Sequence, residues 1–178
     1  MYEKIISYQD IKKVLENSWL SEPVEWYNGG TLDKTIPLNA VLPGIQHFFG
    51  EIERRIADDT YIPNMTLSTD SLATKIEMLL RYMCKKVGIP TFRYIANGGH
   101  LIAEEKTLGD LIRELESQLN PNDLILIKYV INEKGGMNIR NHIAHGLVDA
   151  EEYNPFAPLV LIAIIIRLSI YEVKNTQN

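Results

Sequence analysis

The stretch Phe156–Val173 is apolar on nearly every side up to Arg167. No other feature constrains the chain as much, because a helix that is apolar all round cannot lie on a wetted surface and has to be enclosed. Its longest uninterrupted apolar run, Leu159 to Ile166 within Pro158 to Ile170, is too short to cross a bilayer. The expectation is a core helix wrapped by other helices, with no membrane as partner. The opening Met1-Tyr2-Glu3-Lys4-Ile5-Ile6 lacks the apolar core and small-residue cleavage site of a secretory leader. Cys84 is the one cysteine, so an internal disulfide is ruled out and a reducing, cytoplasmic setting is expected. Placed in an apolar helical stretch, it reads as an inert buried thiol.

The enclosing helices are legible from the 3.6-residue period. Asp10–Asn17 reads as a short amphipathic helix, with Ile11, Val14 and Leu15 on one side. Ser21–Pro37, with two prolines, Gly29-Gly30 and Trp26, reads as irregular, packing through Trp19 and Trp26. Pro43–Asp58 carries an apolar stripe of Ile45, Phe48, Phe49, Ile52 and Ile56, and Thr60–Thr66 reads as a loop. Ser68 or Thr69 is expected to cap a long helix bearing Leu72, Ile76, Leu79, Leu80, Met83 and Val87, which Gly88 and Pro90 end. Thr91–Ala103 alternates about Asn97-Gly98-Gly99, the pattern of a β-hairpin. A lone hairpin is marginal in water and is expected to lean on the helices. Thr107–Leu119 and Pro121–Ile131 return to helix, and Gly135-Gly136 separates them from the segment that follows. The expectation is an all-α bundle with a small hairpin insertion.

At 178 residues the chain suits one domain, with 1–67 as an N-terminal helical extension of a domain at 68–178. A net charge of −5 and a pI near 5.4 argue against broad electrostatic coating of nucleic acid, though not against a local basic pocket.

Chemistry concentrates in Arg140-Asn141-His142-Ile143-Ala144-His145-Gly146. A permanent cation, an amide and a titratable imidazole within one short stretch suit work on a phosphodiester. On an ideal helix Asn141 and His145 lie about 40° apart, on one face, whereas Arg140 and His145 lie about 140° apart. Three arrangements reconcile Arg140 with His145: an arginine that curls round, a frayed turn ended by Gly146, or a two-fold dimer that brings two copies of the segment together. The dimer, with or without the frayed turn, is the expected one.

The same segment resembles the signature of the HEPN superfamily, an Arg followed four to six residues later by His. The likeness extends over about Ser68 to Ser169: Glu77-Met78-Leu79-Leu80-Arg81, Lys106-Thr107-Leu108-Gly109-Asp110-Leu111, and Gly136-Met137-Asn138-Ile139-Arg140-Asn141 with Ile143-Ala144-His145-Gly146-Leu147. These resemble a bacterial HEPN branch usually found at the C-terminal end of larger proteins. The resemblance implies an HEPN-like helical bundle, a homodimer and metal-independent endoribonuclease activity without cofactor, in a toxin or antiphage effector with an antitoxin or regulatory domain as a further partner. It implies Arg140 and His145 as the active pair with Asn141 beside them. Glu77 and Arg81 have a supporting role, and so does His142, whose family position varies. Some relatives are instead non-catalytic modules that dimerise or bind a nucleotide or partner.

Metal-free RNA cleavage needs a base for the 2′-hydroxyl, charge on the phosphorane stabilised, and an acid for the 5′-oxygen. Imidazole suits the proton transfers and guanidinium the phosphate. One His145 from each of two subunits would provide both acid and base. The alternative chemistry is a metal held by His142 and His145 with Asp149, Glu151 or Glu152. Elsewhere, His47 beside Phe48 reads as packing and His100 as exposed. Arg54-Arg55 and Lys85-Lys86 read as solvated helix faces that could guide RNA. Neither Gly98-Gly99 nor Gly135-Gly136 has the context of a phosphate loop.

Overall fold

The architecture was obtained as a computed structural model that describes residues 6–28 and 31–173, with the side chains of 26–28, 97 and 150 left undescribed. The chain is mostly helical with two small antiparallel hairpins. Its elements are α1 (Tyr8–Glu16), β1 (Val24–Asn28), β2 (Thr31–Thr35), α2 (Pro37–Ala57), α3 (Thr66–Lys86), β3 (Phe92–Asn97), β4 (His100–Glu105), α4 (Leu108–Glu114), α5 (Pro121–Ile127), α6 (Ile139–Ala144) and α7 (Phe156–Ser169). A π-helical turn, Lys128–Asn132, continues α5.

α3 is the hub, packed against α2, α4, α6 and α7. Leu72, Ala73, Ile76, Leu79, Leu80 and Cys84 along it are fully buried. One apolar core runs from Ile11 and Leu15 in α1 through α2 and α3 to Leu168 in α7. Burial pushes the Cys84 thiol up to about 11, which keeps it protonated and inert.

Local chemistry sets the boundaries. Ser7 and Asp10 form a reciprocal capping box that starts α1, and Thr107 with Asp110 does the same for α4. α2 begins earlier than its apolar stripe suggests, because Pro37 is preorganised for the first turn and Pro43 is carried inside the helix. Neither Ser68 nor Thr69 caps α3. Its N-cap is Met65, and both hydroxyl residues lie buried inside, Thr69 donating to the Met65 carbonyl at 2.8 Å.

Three further expectations are corrected. The segment before α2 is not irregular throughout: β1 and β2 pair from Val24↔Thr35 to Asn28↔Thr31. Trp19 does pack, and its indole N–H donates to the Leu168 carbonyl at 2.9 Å, an acceptor left open by the end of α7. The placement of the Trp26 side chain lies outside the described residues. The β3–β4 hairpin, paired from Phe92↔Glu105 to Asn97↔His100, packs no apolar face on the helices, since its described side chains are all exposed, and it leans on them only through charged groups, with Arg93 meeting Asp110 of α4 at 3.5 Å. It is tied at its base, where Lys106 N–H donates to the Thr91 carbonyl at 2.9 Å and Arg81 meets Glu105 at 2.7 Å. The third correction concerns α7, which is not enclosed all round. Phe156, Leu159 and Ile170 on one side remain more than half exposed at 59%, 51% and 59%.

Two buried carboxylates hold the helices in place. Glu51 in α2 accepts from the Asn64 N–H at 2.6 Å, the Tyr61 hydroxyl at 2.7 Å and Arg54 at 2.6 Å. Asp123 in α5 accepts from Arg167 at 2.7 and 3.2 Å and from the Tyr171 hydroxyl at 2.5 Å, pinning α5 to the end of α7. Burial pushes both acids up, but these donors and the facing arginines (with His47 as well for Glu51) outweigh it and leave both below their ordinary values of 4.5 and 3.8. A carboxylate with a depressed folded value contributes stability that is full above its unfolded value and lost as pH falls through the folded one. The urea midpoint of the wild type is therefore expected to hold from neutral pH to about 5 and then to fall. Glu51→Gln is expected to lose about 2–3 kcal/mol at pH 7 and to show a shallower acid limb. An unchanged acid limb in that variant would exclude Glu51 as a source of the pH dependence.

Candidate functional site

The motif helix α6 is only six residues long, and its placement starts two elements earlier. In the π-helical turn the Glu133 N–H reaches the Lys128 carbonyl at 2.8 Å. The neighbouring Tyr129 carbonyl accepts from Met137 N–H at 2.9 Å. The incoming loop presses so closely on this carbonyl that a Cβ on Gly136 would lie 2.1 Å from the Tyr129 oxygen. Only glycine fits there.

Asn138 follows as N-cap of α6 in the left-handed conformation, φ 48° and ψ 31°, a region asparagine tolerates better than most residues. It is buried. Its carbonyl accepts from the Asn141 and His142 N–H groups at 3.1 Å each, and its side-chain oxygen accepts from Asn141 Nδ2 at 2.7 Å. This aims the first turn of α6 at α3. Arg140 then donates through Nε to Glu77 Oε2 at 2.9 Å, with Nη2 ion-paired to the same oxygen at 2.9 Å, and donates through Nη1 to Asn141 Oδ1 at 3.1 Å. Glu77 is shared: its Oε1 accepts from Arg81 at 3.0 Å, and Arg81 also donates to Glu105 and to the Lys106 carbonyl, both at 2.7 Å. One continuous chain of charge-assisted bonds thus runs from the hairpin base through α3 to the motif. Its Glu77 and Arg140 side chains are 16% and 31% exposed, so the network lies near the surface and the guanidinium is fixed by its partners.

α6 ends in a paired turn. Gly146 N–H donates to the Ile143 carbonyl at 3.1 Å and Leu147 N–H to the His142 carbonyl at 2.8 Å, with Gly146 at φ 64°. This is a Schellman motif, and His145 is its C-cap, at φ −100° and ψ 3°. His145 therefore sits at the capped end of α6, in a turn that Gly146 closes and that is hydrogen-bonded, not frayed. It is exposed, and among the described residues its ring has no hydrogen-bond or ion-pair partner.

The structure thus brings Glu77, Arg81, Arg140 and Asn141 into one network with Asn138. The rings of His142, which is half-buried, and His145 make no bond to that network. Among the described residues no three His, Cys, Asp or Glu side chains gather to hold a metal, including around His142 and His145. Glu152 is already engaged, accepting from the Asp149 N–H at 3.0 Å.

A second polar cluster escapes a linear reading. His47 is not simple packing: its Nδ1 lies 2.8 Å from Ser68 Oγ, and its Nε2 lies 4.0 Å from Glu51. Serine, histidine and carboxylate in that order invite comparison with a nucleophilic triad. Ser68 is wholly buried, however, so its hydroxyl has no path to a substrate, and the cluster serves as a cross-link between α2 and α3. The four-residue spacing of His47 and Glu51 is the one signal of it in the sequence. Arg54 and Arg55 are exposed, as expected of a solvated face, and each also holds a partner. Arg54 holds Glu51 and Arg55 donates to the Tyr61 carbonyl at 3.2 Å, fastening the loop between α2 and α3. Lys86 is buried and ion-paired with Glu22, not part of a solvated face. His100 is exposed.

No family model, curated protein or solved structure matches the chain. Among the described residues no helix is long and apolar enough to cross a membrane.

Proposed function

We propose that the chain is an HEPN-like helical bundle acting as a metal-independent endoribonuclease, a toxin or antiphage effector of the cytoplasm restrained by an antitoxin or regulatory domain. The observation that carries this reading is the division of labour in the motif. Arg140 is held by Glu77 and Asn141 with its side chain 31% exposed, while the His145 residue, on the next turn, is exposed and its ring has no partner among the described residues. A fixed cation and an unengaged imidazole within one short segment suit phosphodiester transfer without a metal once both reach the same phosphate.

In the proposed reaction the 2′-hydroxyl oxygen attacks phosphorus and loses its proton to an imidazole. Arg140 stabilises the charge on the non-bridging oxygens. The bond from phosphorus to the 5′-oxygen breaks, and that oxygen takes a proton. The products are a 2′,3′-cyclic phosphate and a 5′-hydroxyl. A homodimer would supply a second His145, so that acid and base are separate groups.

A specific observation also favours the alternative, a non-catalytic module for dimerisation or for binding a nucleotide or partner. Two of the Arg140 nitrogens are spent on Glu77, which is how a purely structural arginine behaves. The deciding experiment incubates pure wild type and His145→Ala with total RNA, and with single-stranded DNA, in EDTA, and maps the ends. Cyclic phosphate ends from wild type alone, with DNA intact, support the ribonuclease. DNA lacks the attacking hydroxyl. Equal cleavage by both proteins, or none by either, favours the module.

A further inference from the structure

Clefts over the surface carry charged side chains: Glu53 and Arg54 in one, Glu16 and Glu22 in another, Arg113 and Lys128 in a third. One recess differs. It holds about 530 Å³ between the loop before α3 and the segment after α6, with Ile62, Pro63, Asn64, Thr66, Val148 and Tyr153 in its wall, and none of its lining side chains is charged. Tyr153 is half-buried, and its hydroxyl donates to Asp70 Oδ1 at 2.9 Å, which fixes the ring. Burial, with Asp70 beside it, pushes that phenol up to about 12, so it stays neutral. A neutral recess with a fixed ring suits a flat, uncharged ligand with a polar edge better than it suits an ion.

Its position ties it to the motif. Val148 lies three residues beyond His145, so the chain keeps the two within about 11 Å. Asp70, which holds Tyr153, and Glu77, which holds Arg140, are seven residues apart on α3. On an ideal helix that is about 10 Å along the axis and about 20° round it, hence one face. At the duplex spacing of about 3.4 Å per nucleotide this is about three steps of a strand, and fewer when the strand is extended.

The polar edge is set as well. Asn64 Oδ1 accepts from the Thr66 N–H at 3.1 Å, and the Asn64 N–H donates to Glu51 at 2.6 Å. These bonds orient the Asn64 amide, whose Nδ2 has no partner among the described residues; nor has the Thr66 hydroxyl. With its oxygen engaged, the amide presents hydrogens, and the hydroxyl beside it can accept one.

We infer that this recess is a base pocket for the strand that the motif cuts, and that it selects keto bases. Tyr153 stacks on the base. Asn64 Nδ2 donates to O4 of uracil or O6 of guanine, and the Thr66 hydroxyl accepts from the adjacent ring N–H. Cytosine and adenine set an amino group against Nδ2, donor facing donor, and lack that ring N–H. The inference rests on the ribonuclease reading and adds to it a residue that chooses the cut site.

Asn64→Asp is the decisive variant. Its carboxylate keeps an oxygen for the Thr66 N–H but puts an acceptor where the donor was, so the preference should reverse. RNA of randomised sequence is cut by each protein in EDTA and the ends are sequenced. Wild type is expected to enrich uracil and guanine about tenfold at one fixed position within about three nucleotides of the cut, and Asn64→Asp to enrich cytosine and adenine there. A second readout needs no cleavage. In NMR titrations up to about 20 mM, uridine and not cytidine is expected to shift the Tyr153 ring signals of wild type, and the reverse is expected for Asn64→Asp. Uridine binding without any cleavage upholds the base pocket and sinks the ribonuclease reading. Cuts with no base preference, a preference that Asn64→Asp leaves unchanged, or neither cleavage nor uridine binding would overturn the inference.

Discussion

RNA cleavage by the His145→Ala protein is expected to fall by about a thousandfold, the usual worth of a positioned imidazole in proton transfer. Its folding stability is expected to stay within about 0.5 kcal/mol of wild type, because the ring is exposed and has no partner among the described residues. Arg140→Ala provides the contrast. It removes the Nε bond and the Nη2 ion pair to Glu77 Oε2 and the bond to Asn141, leaving Glu77, among the described residues, with Arg81 as its arginine partner. It is expected to lose cleavage and about 2–3 kcal/mol of stability together. Measured side by side, initial rates on one RNA and urea midpoints separate a catalytic residue from a structural one. A His145→Ala protein that cleaves at the wild-type rate would remove His145 from the mechanism. An Arg140→Ala protein that keeps its urea midpoint would deny the ion pair its anchoring role.

Gly136→Ala is expected to be strongly destabilising. The added methyl carbon would lie 2.1 Å from the Tyr129 carbonyl oxygen and 2.9 Å from its carbonyl carbon. These are backbone atoms in the π-helical turn, so no rotamer change relieves the clash. Either the loop lifts away, losing the Met137 N–H bond to Tyr129 at 2.9 Å and the placement of Asn138, or the π-helical turn rewinds. A loss of about 4 kcal/mol is expected, at the upper end for point substitutions. Because Asn138 orients α6, cleavage should fall as well, even under conditions where the variant is folded. Gly135→Ala, with open space around its Cβ position, is the control and is expected to melt like wild type. Equal melting of the two variants would refute the close approach.

Much of the scaffold was legible before any coordinates. The apolar periods of α3 and α4 and the Asn97-Gly98-Gly99 turn each act within a few residues, and the elements form where those signals lie. The first hairpin has the same turn composition in Asn28-Gly29-Gly30, but Val24-Glu25-Trp26-Tyr27 does not alternate, so the strand signal is absent. The caps expected at Ser68 and Thr69 failed because a hydroxyl that can cap can equally be buried if it finds a partner. Met65 and His47 supplied those partners from the preceding turn and from another helix. The candidate site divides in the same way. Arg140, Asn141 and His145 stand out as a local pattern, yet the partner that fixes Arg140 lies 63 positions away on α3.

What the sequence determined by itself is therefore the set of local choices: which segments wind into helices, where two chains of alternating residues turn, and which seven residues carry the concentrated chemistry. What only the tertiary structure decided is which polar groups meet. Gly135 and Gly136 are adjacent and identical, and only the docking of one against the Tyr129 carbonyl makes it irreplaceable. Lys86 differs from a solvated lysine only because Glu22 arrives beside it. The apolar helix α7 demanded burial on all sides, and packing leaves four of its positions, and Ile170 at its C-cap, exposed. Hydrophobic periodicity depends on neighbours along the chain, whereas burial and charge pairing depend on neighbours in space, and those are set by packing alone.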